Sequence, residues 1–145
     1  MIVLDTCVVS ESLRPDPEPL VLGWIEGLDE GDVFLPSLVL GELHKGVGLL
    51  PEGNRKAALS LWLAQLELRF AGRILSLDGA VATRWGTLMV RMQKSGTPMP
   101  VVDALVAAHA LVPGAVLATR NVADFSGSGV ITINPWLPVT PTPGS

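Results

Sequence analysis

Residues 1–11 read MIVLDTCVVSE, and the placing of Asp5 within them decides the fold. Met1 to Leu4 are apolar and β-prone, which suits a short first strand. Apolar residues resume at Cys7–Val9. A carboxylate inside such a run is costly unless something pairs with it. Its partners must come from the rest of the chain.

The pattern downstream alternates between strand and helix. Residues 7–19, CVVSESLRPDPEP, form a helix or loop broken by Pro15, Pro17 and Pro19. PLVLGWIEGLDEG (19–31) reads as a helix capped at Gly31. DVFLPS (32–37) is a second strand, and Ser37 is the expected N-cap of a helix over LVLGELHKGVGLL. RKAALSLWLAQLELRF (55–70) places Leu59, Trp62, Leu63, Leu66 and Phe70 on one helical face. GRILSLD (72–78) is a third strand, whose Asp78 caps the helix GAVATRWGTLMVRMQK. PMPVVDALVAAHALV (98–112) is a further helix with proline ahead of its first turn. PGAVLATRN (113–121) and GVITINPW (129–136) are the fourth and fifth strands. This alternation implies an α/β fold: one domain over residues 1–136, a mainly parallel central sheet and flanking helices. The tail LPVTPTPGS (137–145) reads as proline-rich and extended or disordered.

Composition narrows the function. At 145 residues the chain suffices for one domain with a real core. No apolar run reaches the roughly 20 residues that span a bilayer. The N-terminus lacks the basic start of a signal peptide, so a soluble, cytoplasmic chain is expected. Cys7 is the single cysteine, which excludes an internal disulfide and a cysteine-based zinc site. The net charge of −4 argues against a simple nucleic-acid binder. That argument weakens if several acids gather round a cation.

Three further acids sit in apolar company near strand ends or helix starts. Glu42 lies among Leu38, Val39, Leu43 and Gly46; Asp103 opens an almost wholly apolar helix; Asp124 follows the fourth strand. In a parallel sheet these positions meet Asp5 beyond the carboxyl ends of the strands. Carboxylates gathered in a dry cleft take up protons or are neutralised by a cation. An all-oxygen site suits Mg²⁺, with Mn²⁺ as the alternative, and such a site activates water against a phosphodiester.

Plainer readings stand beside this one. Asp5 fits a helix cap, Glu42 fits a solvated partner for Lys45, and Asp103 fits the positive end of a helix dipole. His44 and His109 read as packing residues. Trp24, Trp62, Trp85 and Trp136 offer base-stacking platforms, but read first as core or subunit-interface residues. Arg84, Arg91 and Lys94 recur along one helix as a solvated face. Glu11, Asp16, Glu18, Asp29, Glu30, Asp32, Glu52, Glu67 and Asp78 read as loop, cap or surface acids.

LDTCVVSE (4–11), PSLVLGELHKGV (36–47), PMPVVDALVAAHAL (98–111) and ATRNVADFSGSGVITINPW (118–136) occur in order and at characteristic spacing. With these four stretches the chain resembles the PIN-domain endoribonuclease toxins of VapBC-type toxin–antitoxin modules, in particular the FitB-like branch. The ending FSGSGVITINPW is the most branch-specific part. The resemblance implies a Mg²⁺-dependent site of Asp5, Glu42, Asp103 and Asp124, with Asp5 and Asp103 the most direct ligands. It implies that Thr6 and Thr119 orient ligands or water and that Asn121 helps hold the site together. Arg120 is the candidate RNA contact, or a residue that orients Asp124. The family usually carries Asn or Ser where this chain has Cys7, which is not counted as catalytic.

The same resemblance implies RNA hydrolysis to a 5′-phosphate product by metal-activated water. It also implies a homodimer, a cognate antitoxin of the VapB or FitA kind, and promoter DNA bound through the antitoxin complex. Two other classes compete. A haloacid-dehalogenase-type phosphatase wants a second Asp two residues after the first, where Cys7 stands. A catalytically idle dimer that binds antitoxin and represses its promoter is the other; loss of a site acid would favour it, and all four acids are present.

Overall fold

The computed structural model describes residues 1–138, and the proline-rich reading of the tail falls almost wholly outside them. The described residues form a five-stranded, all-parallel sheet in the order β3-β2-β1-β4-β5. The strands are β1 (Ile2–Leu4), β2 (Val33–Pro36), β3 (Ile74–Leu75), β4 (Val116–Ala118) and β5 (Thr132–Ile133). The helices are α1 (Thr6–Glu11), α2 (Pro19–Glu26), α3 (Ser37–Gly48), α4 (Asn54–Arg69), α5 (Gly79–Lys94) and α6 (Val101–Ala110).

This order positions the site. The chain leaves β1 through α1 and α2 to reach β2 on one side. It later crosses by α5 and α6 to β4 on the other side. The strand order therefore reverses between β1 and β4, and a crevice opens beyond their carboxyl ends. Asp5 follows β1 directly and Thr119 follows β4 directly. The register Leu4↔Ala118 brings the two exits side by side, and the Asp5 N–H donates to the Ala118 carbonyl at 3.0 Å.

The core is aliphatic. Val3, Leu35, Leu63, Leu88 and Leu117 are fully buried, and Ala104, Ala107 and Ala108 let α6 sit close to the sheet. The tryptophans pack as half-buried residues, with Trp24, Trp62, Trp85 and Trp136 against the core.

Several sequence expectations need correction. α2 ends at Glu26 with Gly27 as its cap; Gly31 lies instead in a 3₁₀ turn over Glu30–Asp32. Ser37 is the first residue of α3 and Pro36 is its cap, because a proline with extended ψ stops β2 and launches the helix at one position. The third and fifth strands shrink to two residues each. Glu11 is not a surface acid: it is 3 % exposed, and its carboxylate accepts the Glu18 N–H at 2.9 Å and faces Arg14 at 3.5 Å. His44 is exposed and bonded to Glu67 rather than packed into the core. Arg84 and Arg91 are not a solvated face. Arg84 donates to the Ala108 carbonyl at 3.0 Å, and Arg91 to the Gly127 and Ser128 carbonyls at 2.9 and 2.6 Å. Each ties α5 to a carbonyl that no strand or helix satisfies.

Candidate functional site

Asp5 performs two tasks. Its Oδ1 accepts the Thr6 N–H at 2.8 Å, capping α1, and its Oδ2 accepts the Thr119 hydroxyl at 2.8 Å. The capping reading therefore holds, and it leaves lone pairs on both oxygens facing the crevice end of the sheet. Thr119 is fully buried; having donated its proton to Asp5, its oxygen accepts the Asn121 N–H at 3.1 Å. Asn121 thus enters the network through its backbone.

Glu42 projects from the second turn of α3, where Thr6 Oγ1 donates to its Oε1 at 2.9 Å. Among the described residues it makes no ion pair with Lys45, so the surface-pair reading does not hold. The hydroxyl of Thr6 and the backbone N–H of Thr6 thus serve two different acids.

Asp103 lies in the first turn of α6, half-buried. It shares a cleft of about 410 Å³ with Asp124, which projects exposed from the 3₁₀ turn Val122–Phe125. Burial pushes the Asp103 carboxyl up from the ordinary aspartate range, and the negative charges of Asp5, Asp124 and Glu42 push it further. Asp103 therefore feels the charge of the other three acids expected from the sequence. Among the described residues no three Asp, Glu, His or Cys side chains stand close enough to hold one ion as placed.

Cys7 adds a soft atom at the border of the site. Its Sγ lies 3.8 Å from Asp5 Oδ2 and from Thr119 Oγ1, and accepts the Arg120 N–H at 3.5 Å. Burial, the largest influence, raises its pKa; the Arg120 N–H opposes this and the Asp5 charge adds to it. Cys7 is thus a neutral thiol, unsuited to nucleophilic work. The Arg120 side chain stacks over Trp136 at 5.3 Å and has no hydrogen bond to Asp124 among the described residues.

A family model for the PIN domain matches residues 2–126. The chain belongs to the PIN-domain family. Within the family it is similar to toxin FitB of Neisseria gonorrhoeae, at 38 % identity over 94 % of this chain and 99 % of the relative. Plasmid stability protein StbB of Pseudomonas syringae pv. tomato is 36 % identical over the same shares. VapC ribonuclease Y4jK of Sinorhizobium fredii is 33 % identical over 95 % and 99 %. Among solved structures, FitAB bound to a DNA fragment superposes with a TM-score of 0.91 at 35 % identity, covering 97 % of this chain and 99 % of that one. The α/β architecture expected from the sequence is that of the family.

The sequence reads Glu11 as a loop, cap or surface acid, and sets Trp136 as a base-stacking platform second to a core or interface role. The hint for Glu11 is indirect and lies in the loop after it, not in any local periodicity. The loop that follows it, RPDPEP, has three prolines, and each N–H it retains needs an acceptor.

Proposed function

We propose that this chain is the toxin of a toxin–antitoxin pair and a divalent-cation-dependent endoribonuclease. The observation that carries the reading is the acidic group at the β1–β4 crevice, where Thr119 holds Asp5, Thr6 holds Glu42, and Asp103 shares a cleft with Asp124. Burial first, and then the charges of Asp5, Asp124 and Glu42, raise the Asp103 carboxyl. The donors are carboxylates and threonine hydroxyls, a set that fits a hard cation such as Mg²⁺ or Mn²⁺. Asp5 and Asp103 are the foremost ligands in this reading, with Glu42 and Asp124 completing the charge. A cation bound there supplies Lewis acidity toward a phosphodiester and its attacking water. The protein contributes fixed geometry. Thr119 holds one oxygen of Asp5, the helix start holds the other, and Thr6 holds Glu42. Asn121, by its N–H, fixes the oxygen of Thr119.

The names of the relatives support the nuclease reading: one is a VapC ribonuclease, and another, 30 % identical over 75 % of this chain, is a tRNA(fMet)-specific endonuclease of Shigella flexneri. The FitAB–DNA structure supports a FitA-like antitoxin as partner and DNA as a target of the complex; promoter DNA as that target, and a homodimer of this chain, belong to the reading proposed here. Among the described residues no helix is long and apolar enough to cross a membrane, and a cytoplasmic site of action suits an RNA substrate.

The test is expression of the chain without antitoxin beside Asp5→Asn and Asp103→Asn variants, with sequencing of 5′-phosphate RNA ends. Growth arrest with discrete new ends, both lost in the variants, is the expected result. Soluble, folded proteins that all leave growth and RNA ends unchanged favour the other reading, an idle antitoxin-binding dimer that acts in promoter autoregulation.

A further inference from the structure

Beside the acidic group lies a notch of about 210 Å³. One wall is the turn between α1 and α2, with Arg14, Asp16 and Glu18. The other is the pair Arg120 and Trp136. The notch adjoins the reaction centre through the chain itself: Arg120 directly follows Thr119, whose hydroxyl holds Asp5, and the Arg120 N–H rests on Cys7.

Both walls are built in advance. Buried Glu11 accepts the Glu18 N–H and faces Arg14, pinning a turn already stiffened by Pro15, Pro17 and Pro19. The Trp136 backbone is fixed in turn: its main-chain N–H donates to Asn134 Oδ1 at 2.9 Å, and the preceding Pro135 is buried. Arg120 lies over the Trp136 ring at 5.3 Å while remaining exposed. An arginine lying over an indole, with the guanidinium exposed, offers a surface on which an unpaired base can stack.

Charge decides what enters. Glu11, Asp16 and Glu18 outnumber Arg14 and Arg120, so the notch does not attract a phosphate as its main occupant. A nucleobase suits it better, with its face on Arg120 and its amino or imino edge toward the carboxylates at the rim.

Resting on the endoribonuclease reading above, we propose that this notch is a base subsite: it takes one unpaired RNA base flanking the cleaved phosphodiester and sets sequence preference on that side of the cut. Trp136 and Arg120 supply the stack, and the α1–α2 turn supplies the discriminating edge.

The test is cleavage of a randomised single-stranded oligoribonucleotide pool by the full-length chain, with 5′-phosphate ends sequenced and kcat/KM measured on single-position substrates. Trp136→Ala and Arg120→Ala are compared with Trp136→Phe. The expected result is loss of base preference at one flanking position. The best substrate there loses about ten-fold or more in kcat/KM, through KM, while Trp136→Phe keeps the preference. A uniform loss over all substrates with the preference profile intact overturns the subsite and leaves the nuclease reading standing. A profile and rate unchanged by the alanine variants, with only antitoxin inhibition altered, also overturns it and assigns the notch to the protein partner. If the unaltered chain cleaves no member of the pool with Mg²⁺ or Mn²⁺, the nuclease reading fails and the subsite with it.

Discussion

Thr119 shows how much one hydroxyl can determine. It is fully buried, gives its proton to Asp5 and receives the Asn121 N–H. Thr119→Val keeps the shape but leaves a carboxylate oxygen and a backbone N–H without their partner. Each such loss costs about 1–3 kcal/mol. The expected outcome is an unfolding free energy lowered by at least about 1–3 kcal/mol, read from urea denaturation, with RNA cleavage reduced; Thr119→Ser restores both. Equal stability of the Val and Ser variants would show that the hydroxyl carries no weight. Arg73 is the second case. Its guanidinium donates to the carbonyls of Glu30, Val33 and Arg69, and lies over Phe70 at 4.7 Å. Arg73→Ala orphans carbonyls at the junction of α4, β2 and the 3₁₀ turn, and a loss of about 1–3 kcal/mol is expected. Arg73→Lys restores little of it, because a point ammonium cannot span three acceptors held by a planar fork. Full recovery with lysine in a chemical denaturation series would refute that account. The family resemblance named Thr119 as an orienting residue, but not the bonds it makes, and Arg73 was not legible in its role. A lone Arg or Thr between strand and loop carries no periodic signal, and its acceptors lie tens of residues away.

At the scale of elements, the seam between α5 and α6 holds a pH-dependent weakness. His109 on α6 is 3 % exposed, and among the described residues its Nε2 has no hydrogen-bond partner, nor has Trp85 Nε1 on α5. Burial, aided by the Arg84 charge and opposed by Asp78, holds the His109 pKa below its usual 6.5. The folded state therefore resists the proton that the unfolded state accepts. Stability contributed by neutral His109 is fully present above pH 6.5 and is lost as pH falls from there toward the depressed folded pKa. The slope is at most about 1.4 kcal/mol per pH unit. Asp103, raised in the fold, acts in the opposite sense, so the fair comparison is with His109→Leu, which leaves Asp103 in place. Between about pH 7.5 and about pH 5.5, the variant is expected to lose less stability than the parent. Parallel stability curves for the two proteins would remove His109 from the account. Legibility was uneven at this scale. The helices of α/β alternation were plain in the periodic apolar positions, as with Leu59, Leu63 and Leu66 of α4. The two-residue strands β3 and β5 were overextended by the reading, because a β-prone apolar run does not say where its neighbour stops pairing. Glu11 was misread because its burial comes from a loop folding back, which leaves no local pattern.

For the whole molecule, the net charge of −4 and the converging acids describe one electrostatic design. The strand reversal between β1 and β4 gathers carboxylates from four chain segments at one edge of the sheet. The sequence reading expected Asp5, Glu42, Asp103 and Asp124 to meet at this edge, and the family resemblance named Thr6 and Thr119 as orienting residues; the bonds by which those hydroxyls hold Glu42 and Asp5 needed the fold. Gathering like charges opposes folding, and a cation that binds the native state alone reverses the penalty. Two linked outcomes are expected. Without divalent ions, Asp103→Asn melts higher than the parent, because a half-buried carboxylate repelled by Asp5, Asp124 and Glu42 has been made neutral. With Mg²⁺ or Mn²⁺ added, the parent gains stability with ion concentration, by about 2.7 kcal/mol at one hundred times the dissociation constant, whereas Asp103→Asn gains far less. The melting curves of the two proteins therefore approach or cross as the ion is titrated. Curves that keep a constant separation at every concentration would mean that Asp103 does not meet the ion, and the edge of the sheet would then have to be read as a strained acidic surface instead of a metal centre.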